Sequence, residues 1–97
     1  ELVKINGFAG SLLNIIEENF EKIDETIEGS LVNWSLQRLP KVSLAVLRLA
    51  VAEILYNEDV PVSVSVNEAV EIAKTYGTAE DASYINGVLS TIVKKLK

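Results

Sequence analysis

The sequence predicts an all-α domain, a bundle of about five helices, and three observations carry that prediction. Apolar residues recur at three- and four-residue steps through most of the chain, the spacing of one helical face. Hydrophobic residues make up 48% of the 97 residues and aromatics only 6%, so Leu, Ile, Val and Ala supply most of the core. The two prolines, Pro40 and Pro61, sit in polar connectors that divide the periodic stretches. A chain of this length is one domain with a single core and little margin.

Phe8, Leu12, Ile15, Ile16, Phe20, Ile23 and Ile27 mark the first apolar face, with Glu17, Glu18, Glu21, Lys22, Asp24 and Glu25 on other positions. This predicts one long helix or two consecutive ones from about residue 8 to about residue 33. Gly29-Ser30 weakens its end, and Trp34 is placed over the edge of the core. "SLQRLPK", residues 35–41, reads as a connector, because Pro40 favours an extended residue before it and a helix start after it. Val42 to Tyr56 is apolar almost all round, interrupted mainly by Ser43, Arg48 and Glu53. A helix of that kind is central and contacted on several sides.

"NEDVP", residues 57–61, ends the central helix. "VPVSVSV", residues 60–66, then alternates with period two, as a half-buried strand does. Val62, Val66, Ala69, Val70, Ala73 and Tyr76 nevertheless follow helical spacing, and there is no second strand to pair with. The prediction is a helix from near Val62 or Ser63, with Ser63 as its cap and Gly77 as a left-handed stop. Glu80 and Asp81 open the last helix, favoured there by the macrodipole. Ile85, Val88, Leu89, Ile92, Val93 and Leu96 form its apolar stripe, and lysines close it.

The composition narrows the chemistry. With no histidine and no cysteine there is neither a disulfide framework nor an imidazole or thiolate metal site, and an intracellular, cytoplasmic setting is expected. "NEDVP" lacks the DxDxDG spacing of a calcium loop, and neither GxxxxGK[ST] nor GxGxxG occurs. The acid pairs Glu17-Glu18, Asp24-Glu25, Glu58-Asp59 and Glu80-Asp81 are adjacent in sequence, so on a helix the two members do not face each other. No catalytic residue, metal or cofactor is predicted. No apolar run approaches the ~20 residues that span a bilayer, so no membrane partner is expected. The chain opens at Glu1 close to a helical pattern and is read as a fragment of a longer protein. A net charge of −5, with scattered Lys and Arg, favours a protein partner over unaided binding of nucleic acid.

Five positions carry more information than surface charges usually do. Arg48 and Glu53 interrupt the most apolar helix, and burying either without a partner is costly, so each should reach a salt bridge, a helix terminus or the surface. Tyr84 is placed half exposed, either as a core aromatic or as a stacking platform. Asn86-Gly87 is unusual within a helix because both residues have poor propensity. The simplest reading gives Gly87 a close helix contact and Asn86 a bond to neighbouring backbone.

Taken in order, Trp34, Leu39-Pro40, Leu47-Arg48-Leu49-Ala50, Glu53, Asp59-Val60-Pro61, Asn67-Glu68-Ala69 and Asn86-Gly87-Val88-Leu89 resemble the C-terminal part of the NusB family of bacterial transcription antitermination factors. The match extends over roughly two thirds of the chain. The resemblance implies an all-helical, non-enzymatic adaptor that pairs with the small-subunit ribosomal protein known as NusE and binds boxA RNA. It implies RNA contact through Tyr84, Asn86 and Glu80, and partner contact through Ser43, Leu44 and Arg48. Relatives usually carry phenylalanine where this chain has Tyr84, and a tyrosine keeps the same stacking capacity. The chain departs from the family pattern at Ser43 and Leu44, where relatives carry an acid and often a basic residue, and at Ala52, where an aromatic is common. Relatives begin with an arginine-rich N-terminal half, which this sequence is expected to lack. Two alternatives stand beside the adaptor: the accessory domain of a ribosomal RNA cytosine methyltransferase, and a truncated or engineered scaffold, for which exposed apolar surface would favour a homo-oligomer.

Overall fold

The computed structural model describes residues 14–31 and 35–96, and the regular structure within them is entirely helical. Residues 14–18 are helical and break at Asn19, and the chain resumes as α1, Phe20–Glu28. The 3-10 turn Leu36–Arg38 leads into α2, Lys41–Tyr56, followed by α3, Val62–Tyr76, and α4, Ala79–Leu96. Phe8, Leu12 and Trp34, which the sequence placed on the core, lie outside the described residues.

Asn19 explains the break. Both its backbone N–H and its side-chain amide donate to the Ile15 carbonyl, at 3.0 and 2.9 Å, so side chain and backbone compete for one acceptor. The ladder restarts when Ile23 N–H reaches the Asn19 carbonyl at 2.9 Å. The helix expected to reach about residue 33 stops instead at Glu28. Ser30 N–H bonds the Ile27 carbonyl at 2.9 Å, the tightened closing turn that a Gly-Ser pair permits. The Gly29 carbonyl then accepts from Lys95 Nζ at 2.5 Å, so a cation from the far end of the chain stabilises the end of α1.

α2 is the centre of the bundle and packs against α1, α3 and α4. Val46, Leu47, Ala50, Val51 and Ala52 are buried along it, which is why its sequence is apolar nearly all round. Ile23 and Ile27 seal one side, and Ala82, Ile85, Val88, Leu89 and Ile92 of α4 another. α3 contributes Ser65, Ala69 and Ala73, a stripe of small side chains at four-residue intervals. Such a stripe lets the α3 backbone sit close to its neighbours.

Arg48 and Glu53, the charged residues in the interior of α2, each have a partner. Arg48 Nε and Nη2 donate to the two carboxylate oxygens of Asp24 on α1, both at 2.9 Å, and the guanidinium lies 4.5 Å from the Phe20 ring centroid. This planar two-point grip with a stacked aromatic is specific to arginine. Glu53, 7% exposed, accepts a hydrogen bond from Ser65 Oγ of α3 at 2.5 Å.

Three expectations about α3 and its ends are corrected. Its buried face is centred on Ser65, and Val62 and Tyr76, assigned to that face by spacing, are 38% and 73% exposed. Ser65 could join the core because Glu53 satisfies its hydroxyl. Ser63 does not cap the helix: Pro61 occupies the cap position, and its carbonyl accepts from Val64 and Ser65 N–H. Gly77 has φ −128°, not a left-handed value. Glycine is required there for space, since a Cβ would lie 2.8 Å from Asp81 Oδ2 and 2.9 Å from the Ala73 carbonyl.

Two measurements check this frame. Arg48→Ala should lower unfolding free energy by about 2 kcal/mol in urea titration, with most of that loss absent when Asp24 is already alanine. Gly77→Ala should cost about 1–2 kcal/mol through crowding, and an unchanged urea midpoint would contradict the close approach described.

Candidate functional site

The start of α4 is fixed by a reciprocal cap. Asp81 N–H donates to Thr78 Oγ1 and Thr78 N–H to Asp81 Oδ2, both at 3.0 Å. The arrangement is a capping box, with aspartate in the position glutamate often fills. It sets the rotation of the helix, and with it the directions of Glu80, Tyr84, Asn86 and Gly87.

Tyr84 is half-buried, packed against the core on one side. With Leu39, Pro40, Ser43, Glu80 and Asp81 it lines a recess of about 350 Å³ where the beginning of α2 meets the beginning of α4. Leu39 is buried, and the first turn of α2 carries no side-chain cap. The recess therefore combines an aromatic side chain, a helix start without a side-chain cap, and the carboxylates of Glu80 and Asp81 at its edge. That set can stack a planar ring and orient hydrogen-bonding edges.

The sequence-predicted residues divide between this recess and other places. Glu80 and Tyr84 line it together. Asn86 and Gly87 are exposed on α4. Gly87 does not mark a close helix contact: nothing lies within 4 Å of a Cβ built there, and its carbonyl accepts from Thr91 Oγ1 at 3.0 Å. Ser43, expected on a partner face, is 2% exposed and forms part of the recess wall. Leu44 is half-buried against the core, and Arg48 is engaged by Asp24 and Phe20. Ser43, Leu44 and Arg48 thus do not form one open patch.

Sequence reasoning missed Thr78, Leu39 and Pro40 as parts of the site. Thr78 was findable, because T-x-x-D before an apolar stripe is a helix-start signature. Leu39 and Pro40 were not, since their place in the wall depends on how α4 lies across α2. Among the described residues, no group of three or more acids could hold a metal ion, and no helix is long and apolar enough to cross a membrane.

Residues 2–94 match the NusB family. The chain belongs to the NusB family. It is 51% identical over 82 residues to the transcription antitermination protein NusB of Clostridium perfringens strain SM101, covering 84% of this chain and 61% of that protein. It is 51% identical over 88 residues to the protein of the same name from Syntrophotalea carbinolica, covering 91% of this chain and 56% of that one. Among solved structures, T. maritima NusB superposes with a TM-score of 0.88 at 42% identity, over 95% of this chain and 65% of that chain. The chain thus spans about three fifths of the length of the curated NusB relatives it matches.

The open space around Gly87 gives a direct test of its role. Gly87→Ala should raise unfolding free energy by about 1 kcal/mol, since an exposed helical glycine is replaced by the best helix former. Thermal melts followed by circular dichroism measure this, and a lower melting temperature would contradict the open space described around Gly87.

Proposed function

We propose that this chain serves as a non-enzymatic transcription antitermination adaptor in the cytoplasm. It pairs with the NusE-type small-subunit ribosomal protein, and the pair holds boxA RNA. Family membership and the names of its relatives support the antitermination role. The observation that carries the RNA reading is the Tyr84 recess, in which an aromatic stands beside Glu80 at a capped helix start, with Asn86 exposed further along α4.

The net charge of −5 gives RNA little to hold by phosphate neutralisation. The chain's own contribution is therefore stacking and edge recognition through Tyr84 and Asn86, and the ribosomal protein supplies the positive charge. Ser43 and Leu44, at the start of α2, couple the partner's side of the adaptor to the recess wall. Arg48 holds α1 against α2 and contributes to the partner surface as a positioning residue.

The test is calorimetric titration of this chain with the NusE-type ribosomal protein, followed by labelled boxA RNA. Binding of the partner first, and of RNA to the pair but not to the chain alone, is the expected result. Tyr84→Ala should weaken RNA binding by about tenfold, the loss of one stacked base, and leave partner affinity and the helical circular dichroism spectrum unchanged. If neither ligand binds a chain that is folded by that spectrum, the adaptor reading is wrong for it.

A further inference from the structure

A second site lies between α2 and α3 and shares no residue with the Tyr84 recess. Val46, Leu49, Glu53, Ser65, Glu68 and Ile72 line a pocket of about 130 Å³ there. Its depth holds a carboxyl group: Glu53 is 7% exposed, and its described hydrogen bond comes from Ser65 Oγ, a neutral group. Among the described residues the ion pairs are Arg48–Asp24 and Lys74–Glu71, so no cation is paired with Glu53. Its rim carries a second acid, the exposed Glu68, together with Leu49 and Ile72, which are 37% and 40% exposed.

Ser65 gives Glu53 one hydrogen bond and no countercharge, so the slot favours an approaching cation. The slot matches a long side chain with an apolar stem and a cationic head: the stem lies along Leu49, Val46 and Ile72 while the head reaches Glu53 and Glu68. The chain's overall negative charge steers such a partner toward it. We propose that this pocket is a docking site for an arginine or lysine side chain of a basic protein partner, flanked in that partner by an apolar residue. The site stands independently of the RNA reading, because none of the recess residues takes part.

The experiment is an amide-resolved NMR titration of the full chain with the peptide acetyl-Ala-Leu-Arg-Ala-amide. A matched peptide carrying citrulline, which keeps the shape and removes the charge, is the control. The arginine peptide should shift the amides of Leu49, Glu53, Ser65 and Ile72, and the citrulline peptide should bind about tenfold more weakly or not at all. Glu68→Gln should reduce arginine-peptide affinity by about threefold to fivefold, as for an exposed pair. Glu53→Gln should reduce it by about tenfold or more, provided its amide spectrum shows it folded. Should it fail to fold, Glu68→Gln and the citrulline control on the unaltered chain decide the matter. Equal binding of the two peptides, shifts confined to the acidic surface of α1, or no shifts at all would overturn the proposal.

Discussion

A helix enclosed by three others can keep a charged residue only where a neighbour answers it, and α2 is such a helix. Its thirteen apolar and small positions need no partner beyond close contact, but Arg48 and Glu53 do. Arg48 is answered from α1, by Asp24 and the Phe20 ring, and Glu53 from α3, by Ser65. Each contact fixes one neighbouring helix against α2 in one rotation, because a bidentate grip or a buried hydroxyl bond tolerates little sliding. Apolar burial supplies most of the driving force, while these two polar contacts select one arrangement among the packings that burial alone would allow.

From that arrangement the rest follows. With α3 held by Ser65, its small stripe faces inward, and its valines at 62 and 64 face out. With α3 and α2 placed, the sharp link at Gly77 brings Asp81 close enough to leave no room for a side chain. The Thr78–Asp81 cap then fixes the start of α4. Tyr84 comes to rest over Leu39, Pro40 and Ser43, residues about forty positions earlier, and a recess forms where the two helix starts meet. The recess is thus a consequence of core packing, although its lining residues look like ordinary connector and cap positions in the sequence.

The split of the predicted partner residues has a similar cause. The family resemblance groups Ser43, Leu44 and Arg48 as one partner surface, and the three are near one another along the chain. Ser43 lines the recess, Leu44 packs on the core, and Arg48, one turn on from Leu44, reaches Asp24 of α1. Only the identity of the covering helices says which of these positions is open. By contrast, Glu80 and Tyr84 are four residues apart on one helix, so their shared face was implicit in the spacing.

The sequence by itself determined the all-α class, the extents of α2, α3 and α4 to within a residue or two, the central place of α2, and most of the apolar stripe of α4. These depend on local periodicity and on prolines and glycines, whose effects reach only a few residues. It also marked Arg48 and Glu53 as needing partners, because the cost of an unanswered charge in an apolar helix is a property of the helix itself. Only the tertiary structure decided which partners they found, that Ser65 belongs to the core, that Gly77 serves for space and not for an unusual φ, and that Ser43 lines the Tyr84 recess. Those outcomes rest on contacts between residues distant in the chain, and distance in sequence carries no signal of which helix face will cover which.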